Sequence, residues 1–218
     1  MKIAGIDEAG KGPVIGPMCI AGVMVDETRI NSLKNLGVAD SKKISPRKRA
    51  ELDNKIKKYT DDYFIFEIAP EQIDELRNIM SMNDIMVLGF SRVLENLNPD
   101  MVYVDSADVK PERFANNIRG EYSKNNKKAA ENIKIISEHD ADAVYPVVSA
   151  ASIIAKVRRD ELVNNIKKDI GVDFGSGYPS DPKTKQFLAD WVREHGSLPE
   201  VVRHTWKTAQ KLLDKNGG

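Results

Sequence analysis

The chain opens on "MKIAGIDEAGKG", an apolar strand-like run that ends in two adjacent acids and a glycine-rich turn. This start constrains the fold more than any other stretch. "KIAGID" (2–7) reads as a short buried strand, and a carboxylate at the end of such a strand is costly unless it is neutralised. Neighbouring residues on a strand point to opposite faces, so Glu8 joins Asp7 only if the chain turns there, and "AGKG" supplies the turn. The same letters nearly spell a phosphate-cradling loop. That loop needs Ser or Thr after its Lys, and this chain has Gly12. It would also set Asp7 and Glu8 against a polyanion, at about 4 kcal/mol for each contact at ~4 Å and a surface-like dielectric. As metal ligands the two acids are coherent, because hard carboxylate oxygens suit Mg²⁺ or Mn²⁺.

The rest of the chain supplies a sheet for these acids. "PVIGPMCIAGVMV" (13–25) reads as a second strand and "YFIFEIA" (63–69) as a third. "PDMVYVDSAD" (99–108) and "NIKIISEH" (132–139) read as two more. Helical spacing appears over "PEQIDELRNI" (70–79), "MNDIMVLGFSRVLENL" (82–97), residues 111–119 and "PVVSAASIIAKVRRDELVNNIKK" (146–168). A capped helix closed by Gly196 and a last helix over 199–215 complete the pattern. The expectation is α/β: a mixed sheet flanked by helices, followed by a helical C-terminal part. A soft boundary near 169–180 divides residues 1–170 from 171–218, within what reads as one structural unit.

Two further acids lie at strand ends: Asp105 closes "MVYVD", and Asp142 follows "IKIIS" in "EHDADAVYP". One such acid is ordinarily a cap or turn former. Four on one sheet can gather two divalent ions ~3.5–4 Å apart, the arrangement used for in-line attack on a phosphodiester. One ion would activate water and the other would stabilise the leaving 3′ oxygen.

Bulk properties narrow the class. The 218 residues hold one cysteine, Cys19, which excludes an internal disulfide and points to a reducing, cytoplasmic setting; the bland reading of Cys19 is a buried small hydrophobe. The early apolar run is too short and too broken by Pro and Gly for a signal peptide or a membrane span. Net charge is zero, but residues 42–58 carry eight Lys/Arg against two acids, and residues 59–100 carry nine acids against two Arg. The basic stretch reads either as a local polyanion contact or as a solvated helix face.

"GIDEAGKGPVIGP", "GVADSKKIS", "YVDSAD", "EHDADAVYPVVSAASIIAKVRRD" and "GSGYPSDPKT" occur in this order, and with them the chain resembles the ribonuclease HII family, most closely its archaeal branch, over roughly residues 2–213. The resemblance implies an RNase H-like fold and a two-metal endoribonuclease dependent on Mg²⁺ or Mn²⁺. Such an enzyme cuts RNA in RNA–DNA hybrids and on the 5′ side of ribonucleotides embedded in duplex DNA, leaving 5′-phosphate and 3′-hydroxyl. Its roles are ribonucleotide excision and RNA primer removal in DNA replication and repair. The resemblance maps the catalytic and metal-binding carboxylates onto Asp7, Glu8, Asp105 and Asp142. It maps the family's Gly-Arg-Gly loop, whose main chain senses the ribose 2′-OH, onto Gly10, Lys11 and Gly12. The sugar-stacking tyrosine falls on Tyr178, and phosphate contacts in the "DSK" segment fall on Ser41 and Lys42.

Lys11 stands where the family has Arg, which keeps the charge and loses the planar fork of donors. Asp140 is an extra acid, read as exposed beside the ligand Asp142. Lys156 reads equally as a contact to the substrate backbone or as a solvated helix lysine, and His139 as a proton shuttle or, by the plainer reading, a surface or packing histidine. Plainer readings also stand beside the others: a helix cap at Ser41 or Ser45, packing of Tyr178 on the C-terminal helix, and core positions for Trp191 and Trp206. The expected partner is a nucleic-acid duplex bound by a monomer, with no membrane. The tail "QKLLDKNGG" keeps Gln210 and Leu213 but lacks the paired aromatics of a sliding-clamp peptide, so clamp binding through it is not expected. Another nuclease of the same fold and a non-catalytic binding module are the alternatives; the "GKG" loop beside the acids disfavours the first, and the full set of four carboxylates the second.

Overall fold

Residues 2–9 are apolar on both faces, so the strand they form must be covered on both sides. The computed structural model, which describes residues 1–38 and 44–216, places this strand, β1 (Lys2–Ala9), at the middle of a five-stranded mixed sheet. The others are β2 (Met18–Asp26), β3 (Asp62–Ile68), β4 (Met101–Asp105) and β5 (Lys134–Glu138), in the order β3-β2-β1-β4-β5. β1 runs antiparallel to β2 and parallel to β4, and β4 runs parallel to β5. Ten α-helices lie among the described residues: α1 (Ile30–Asn35), α2 (Pro46–Tyr59), α3 (Pro70–Arg77), α4 (Met82–Leu97), α5 (Pro111–Ser123), α6 (Lys127–Asn132), α7 (Ala141–Val144), α8 (Pro146–Ile170), α9 (Pro182–His195) and α10 (Lys207–Asn216). None is long and apolar enough to cross a membrane.

Two compact units are present. The first comprises Met1–Ala9, Cys19–Phe66 and Met82–Arg158 and holds most of the sheet. Here the alternation of β1 decides which helix covers which face. A Cβ on Gly5 would lie 2.3 Å from the Val147 carbonyl carbon, so only glycine lets the start of α8 rest on that face. Ile6 points the other way, beside Gly22, whose Cβ would meet Val93 of α4. The α8-side core gathers Ile3, Ala9, Ala21, Val23 and Val25 with Val147, Ala151 and Ile154.

The second unit comprises Gly10–Met18, Glu67–Ser81 and Arg159–Gly218. Its core joins Val14, Ile15, Val163, Phe174, Phe187, Leu188, Val192 and Val202. The rings of Phe174 and Phe187 stand 5.6 Å apart.

Two expectations need correction. Residues 13–17 are not strand: Pro13 and Pro17 have no N–H for a ladder, and Gly16 turns the chain at φ 90°. Residues 199–206 are turn rather than helix. Their main chain is committed elsewhere, with Ile15 bridged to Val202, Gly16 N–H donating to Val201 O at 2.9 Å and Arg203 N–H to Val14 O at 2.8 Å. Helix α10 begins only at Lys207.

Candidate active site

Asp7 lies two residues beyond Gly5 and therefore shares its face, in the apolar row with Ile3 and Ala9. The register Ile6↔Val104 sets Asp7 level with Asp105 at the end of the adjacent parallel strand. Asp105 Oδ1 accepts the Ala141 N–H at 2.7 Å, which brings the first turn of α7, with Asp142, to the end of β4. Glu8 follows directly, and its N–H donates to Asp7 Oδ1 at 2.7 Å. Asp7 and Asp142 are buried, while Glu8 and Asp105 are half-buried. The first unit thus brings the four acids read from the sequence to one end of neighbouring strands.

Burial, reinforced by the charges of Glu8 and Asp105, holds the Asp7 carboxyl well above the usual carboxylate range. Among the described residues, no three His, Cys, Asp or Glu side chains form a ready-made cation cage. The donor set nonetheless fits a hard divalent ion: the groups are all carboxylates, and their mutual repulsion at Asp7 is what a bound cation would relieve.

Ser152 escaped the sequence reading, which singled out Lys156 but not its partner. Ser152 of α8 is fully buried beside Asp7, where its hydroxyl favours the ionised carboxyl, and Lys156 Nζ donates to Ser152 Oγ at 2.7 Å. A Lys156–Ser152–Asp7 line therefore reaches this buried carboxylate from α8. The spacing of four along one helix was the available signal. Lys156 is half-buried on this line rather than solvated. Asp140, at φ 54° just before α7, is exposed, as is His139. The second acid of "YVDSAD", Asp108, belongs to a loop: Asn83, Arg113 and the Lys110 N–H all donate to it, and Arg113 above all holds its carboxyl below the usual range.

In the second unit, Gly10 turns at φ 88° and Gly12 lies against Tyr178, whose Cε1 is 3.4 Å from where a Gly12 Cβ would be. The Tyr178 ring is 41% exposed, so a face remains for a ligand, and the Arg159 guanidinium lies 5.7 Å from its centroid. Asp181 caps α9 and also accepts the Ser176 N–H and hydroxyl, each at 2.7 Å, which fixes the loop leading to Tyr178. These bonds hold the Asp181 carboxyl down to about 2. Ser41 and Lys42 lie outside the described residues, whereas Ser45 caps α2 through the Lys48 N–H. Trp191 and Trp206 are partly buried at the edge of the second core.

Comparison with known proteins shows the family. The family model described as Ribonuclease HII matches residues 4–209. The ribonuclease HII of Methanosarcina acetivorans is 64% identical over 99% of this chain and 97% of its own length. Among solved structures, the ribonuclease H2 of Pyrococcus horikoshii OT3 superposes with a TM-score of 0.91 at 44% identity, covering 100% of this chain and 99% of that one. The RNase HII of Archaeoglobus fulgidus, solved as a PCNA:RNase HII complex, gives 0.86 at 40% identity, with 96% of each chain covered.

Proposed function

Since this chain belongs to the ribonuclease HII family and is an RNase H type 2 endoribonuclease, we propose that it cleaves on the 5′ side of ribonucleotides within duplex DNA and within the RNA strand of RNA–DNA hybrids, leaving 5′-phosphate and 3′-hydroxyl. The observation that carries this reading is the gathering of Asp7, Glu8, Asp105 and Asp142 at one end of neighbouring strands, with the Asp7 carboxyl pushed up by burial and then by the charges of Glu8 and Asp105. These four carboxylates would hold two Mg²⁺ or Mn²⁺ ions, which when bound supply an activated water and a counter-charge for the leaving 3′ oxygen.

The protein's own groups do the rest. Asp7, fixed by Ser152 and the Glu8 N–H, orients the charged cluster. The main chain of Gly10, Lys11 and Gly12 reads the ribose 2′-OH, the group that separates RNA from DNA. Tyr178 offers its exposed ring to a sugar, and Lys11, Ser41 and Lys42 contact phosphate. Removal of ribonucleotides and of RNA primers during DNA replication and repair is the matching cellular role.

The test is a labelled duplex carrying one ribonucleotide, beside an all-DNA control, incubated with Mg²⁺ or Mn²⁺. A single metal-dependent cut 5′ of the ribonucleotide, absent from the control and lost in Asp7→Asn, is the expected result. Cleavage confined to long RNA–DNA hybrids would move the specificity to RNA tracts, and silence on both substrates would remove the reading.

A further inference from the structure

Arg203 is the largest fully buried side chain among the described residues, at 0% exposure, and its donors go to the main chain of the Gly10–Gly12 loop and its exit. Nη2 donates to Gly10 O at 2.6 Å, Nη1 to Lys11 O at 3.1 Å and Nε to Gly16 O at 3.0 Å. Three residues further on, Trp206 Nε1 donates to Gly12 O at 3.1 Å. The guanidinium lies 4.8 Å from the Trp206 ring centroid, so the two side chains brace each other. The turn they issue from is itself pinned: Asp74 of α3 accepts the His204 N–H at 2.6 Å, the Thr205 N–H at 2.9 Å and the Thr205 hydroxyl at 2.6 Å. All three loop carbonyls are thus held by side chains from a segment about 190 residues away in sequence.

The consequence follows from peptide geometry. In a planar trans peptide the C=O and the next residue's N–H point in opposite directions. Fixing Gly10 O fixes the Lys11 N–H, and fixing Lys11 O fixes the Gly12 N–H. Both N–H groups are directed away from Arg203. The third carbonyl, Gly12 O, precedes Pro13, which has no N–H to direct.

We infer that Arg203 and Trp206 are positioning residues for ribose recognition: they hold the carbonyl side of the loop so that its N–H side faces the substrate. This rests on reading the loop as the 2′-OH sensor. Neither residue contacts substrate in this account. A planar fork with several fixed donors can serve three carbonyls at once, whereas a lysine ammonium cannot span them.

The experiment uses the full chain with Ca²⁺ in place of the catalytic ion, so that duplexes bind without being cut. Fluorescence anisotropy gives Kd for a duplex with one ribonucleotide and for the same duplex in all-DNA form. The ratio of the two is the ribose discrimination. Thermal melting confirms that Arg203→Lys and Trp206→Phe are folded. Trp206→Phe keeps a ring on the guanidinium and loses the donor to Gly12 O; it is expected to lower the discrimination about fivefold, and Arg203→Lys about tenfold, with all-DNA affinity unchanged. A discrimination equal to wild type in folded Trp206→Phe and Arg203→Lys overturns the inference, as does an equal loss on both duplexes. Should Arg203→Lys fail to fold, Trp206→Phe alone decides. A wild-type ratio near one would instead sink the 2′-OH reading of the loop itself, which separates the two failures.

Discussion

At the scale of single residues, the site divides into positions fixed by charge and positions fixed by backbone shape. Asp7 belongs to the first kind. Asp7→Asn keeps the volume and removes a charge that burial, Glu8 and Asp105 already disfavour. Cleavage is expected to fall on the order of 10³-fold, because the ligand is lost, while duplex binding in a gel-shift assay holds or improves as repulsion of phosphate drops. Near-normal cleavage by the variant would end the metal-ligand role of Asp7. Gly10 belongs to the second kind. At φ 88°, an added Cβ would sit 2.7 Å from both Pro17 O and the Arg159 side chain, one of them immovable backbone. Gly10→Ala should lower kcat/KM by about tenfold or more. Gly12→Ala meets only the Tyr178 ring edge at 3.4 Å and is expected to be milder, with Lys11→Arg close to wild type. A steady-state series ranking Lys11→Arg as the most damaging of the three would contradict backbone sensing.

At the scale of elements, one glycine lets α8 reach the sheet. The Val147 and Val148 backbone atoms that a Gly5 Cβ would meet at 2.3–2.5 Å cannot rotate aside, so Gly5→Ala should cost ~3 kcal/mol or more in urea unfolding. Gly120, exposed within α5 with nothing within 4 Å of its Cβ position, is the control: Gly120→Ala should stabilise by ~0.5–1 kcal/mol. The Asp181 cap has a pH signature. Its carboxyl is held down to about 2 by Ser176 and Lys183, so what it contributes is complete above the unfolded carboxyl pKa of ~4 and is lost as pH falls through about 2. The Tm gap between wild type and Asp181→Ala, ~2–4 °C near neutrality, should close over that interval. These elements also show what the sequence makes legible. Asp7 and Asp105 could be found because a buried run ending in an acid is a local pattern. The meeting of Gly5 with Val147, and of Arg203 with Gly10, could not, since each pairs distant segments through backbone atoms that leave no residue-type signal. Helices α1, α6 and α7, of four to six residues, are too short to show a period. α2 buries only Leu52, Asp53 and Ile56, so it was legible as a solvated basic face capped at Ser45 rather than by an apolar stripe.

At the scale of the whole molecule, a chain of zero net charge must hold a polyanion through local fields. The densest source of positive charge among the described residues is α2, where Arg47, Lys48, Lys55 and Lys58 are all exposed. Two of the helix's bases are already matched by acids: Arg47 pairs with Glu51 at 3.5 Å and Lys57 with Asp53 at 2.8 Å. Lys48, Lys55 and Lys58 are therefore the residues to change. Phosphate contacts carry no sequence or sugar information, and each one contributes through counterion release. The Lys48→Ala/Lys55→Ala/Lys58→Ala triple variant should thus weaken an all-DNA duplex and a ribonucleotide-bearing duplex by the same factor. It should also flatten the plot of log K against log salt by ~1 for each contact removed. Wild-type slope and affinity in the triple variant would make this face solvated surface, and would leave the duplex to be held by groups elsewhere in the chain. A loss confined to the ribonucleotide-bearing duplex would contradict the assignment differently, because exposed ammonium groups on a helix have no means of sensing a single 2′-hydroxyl.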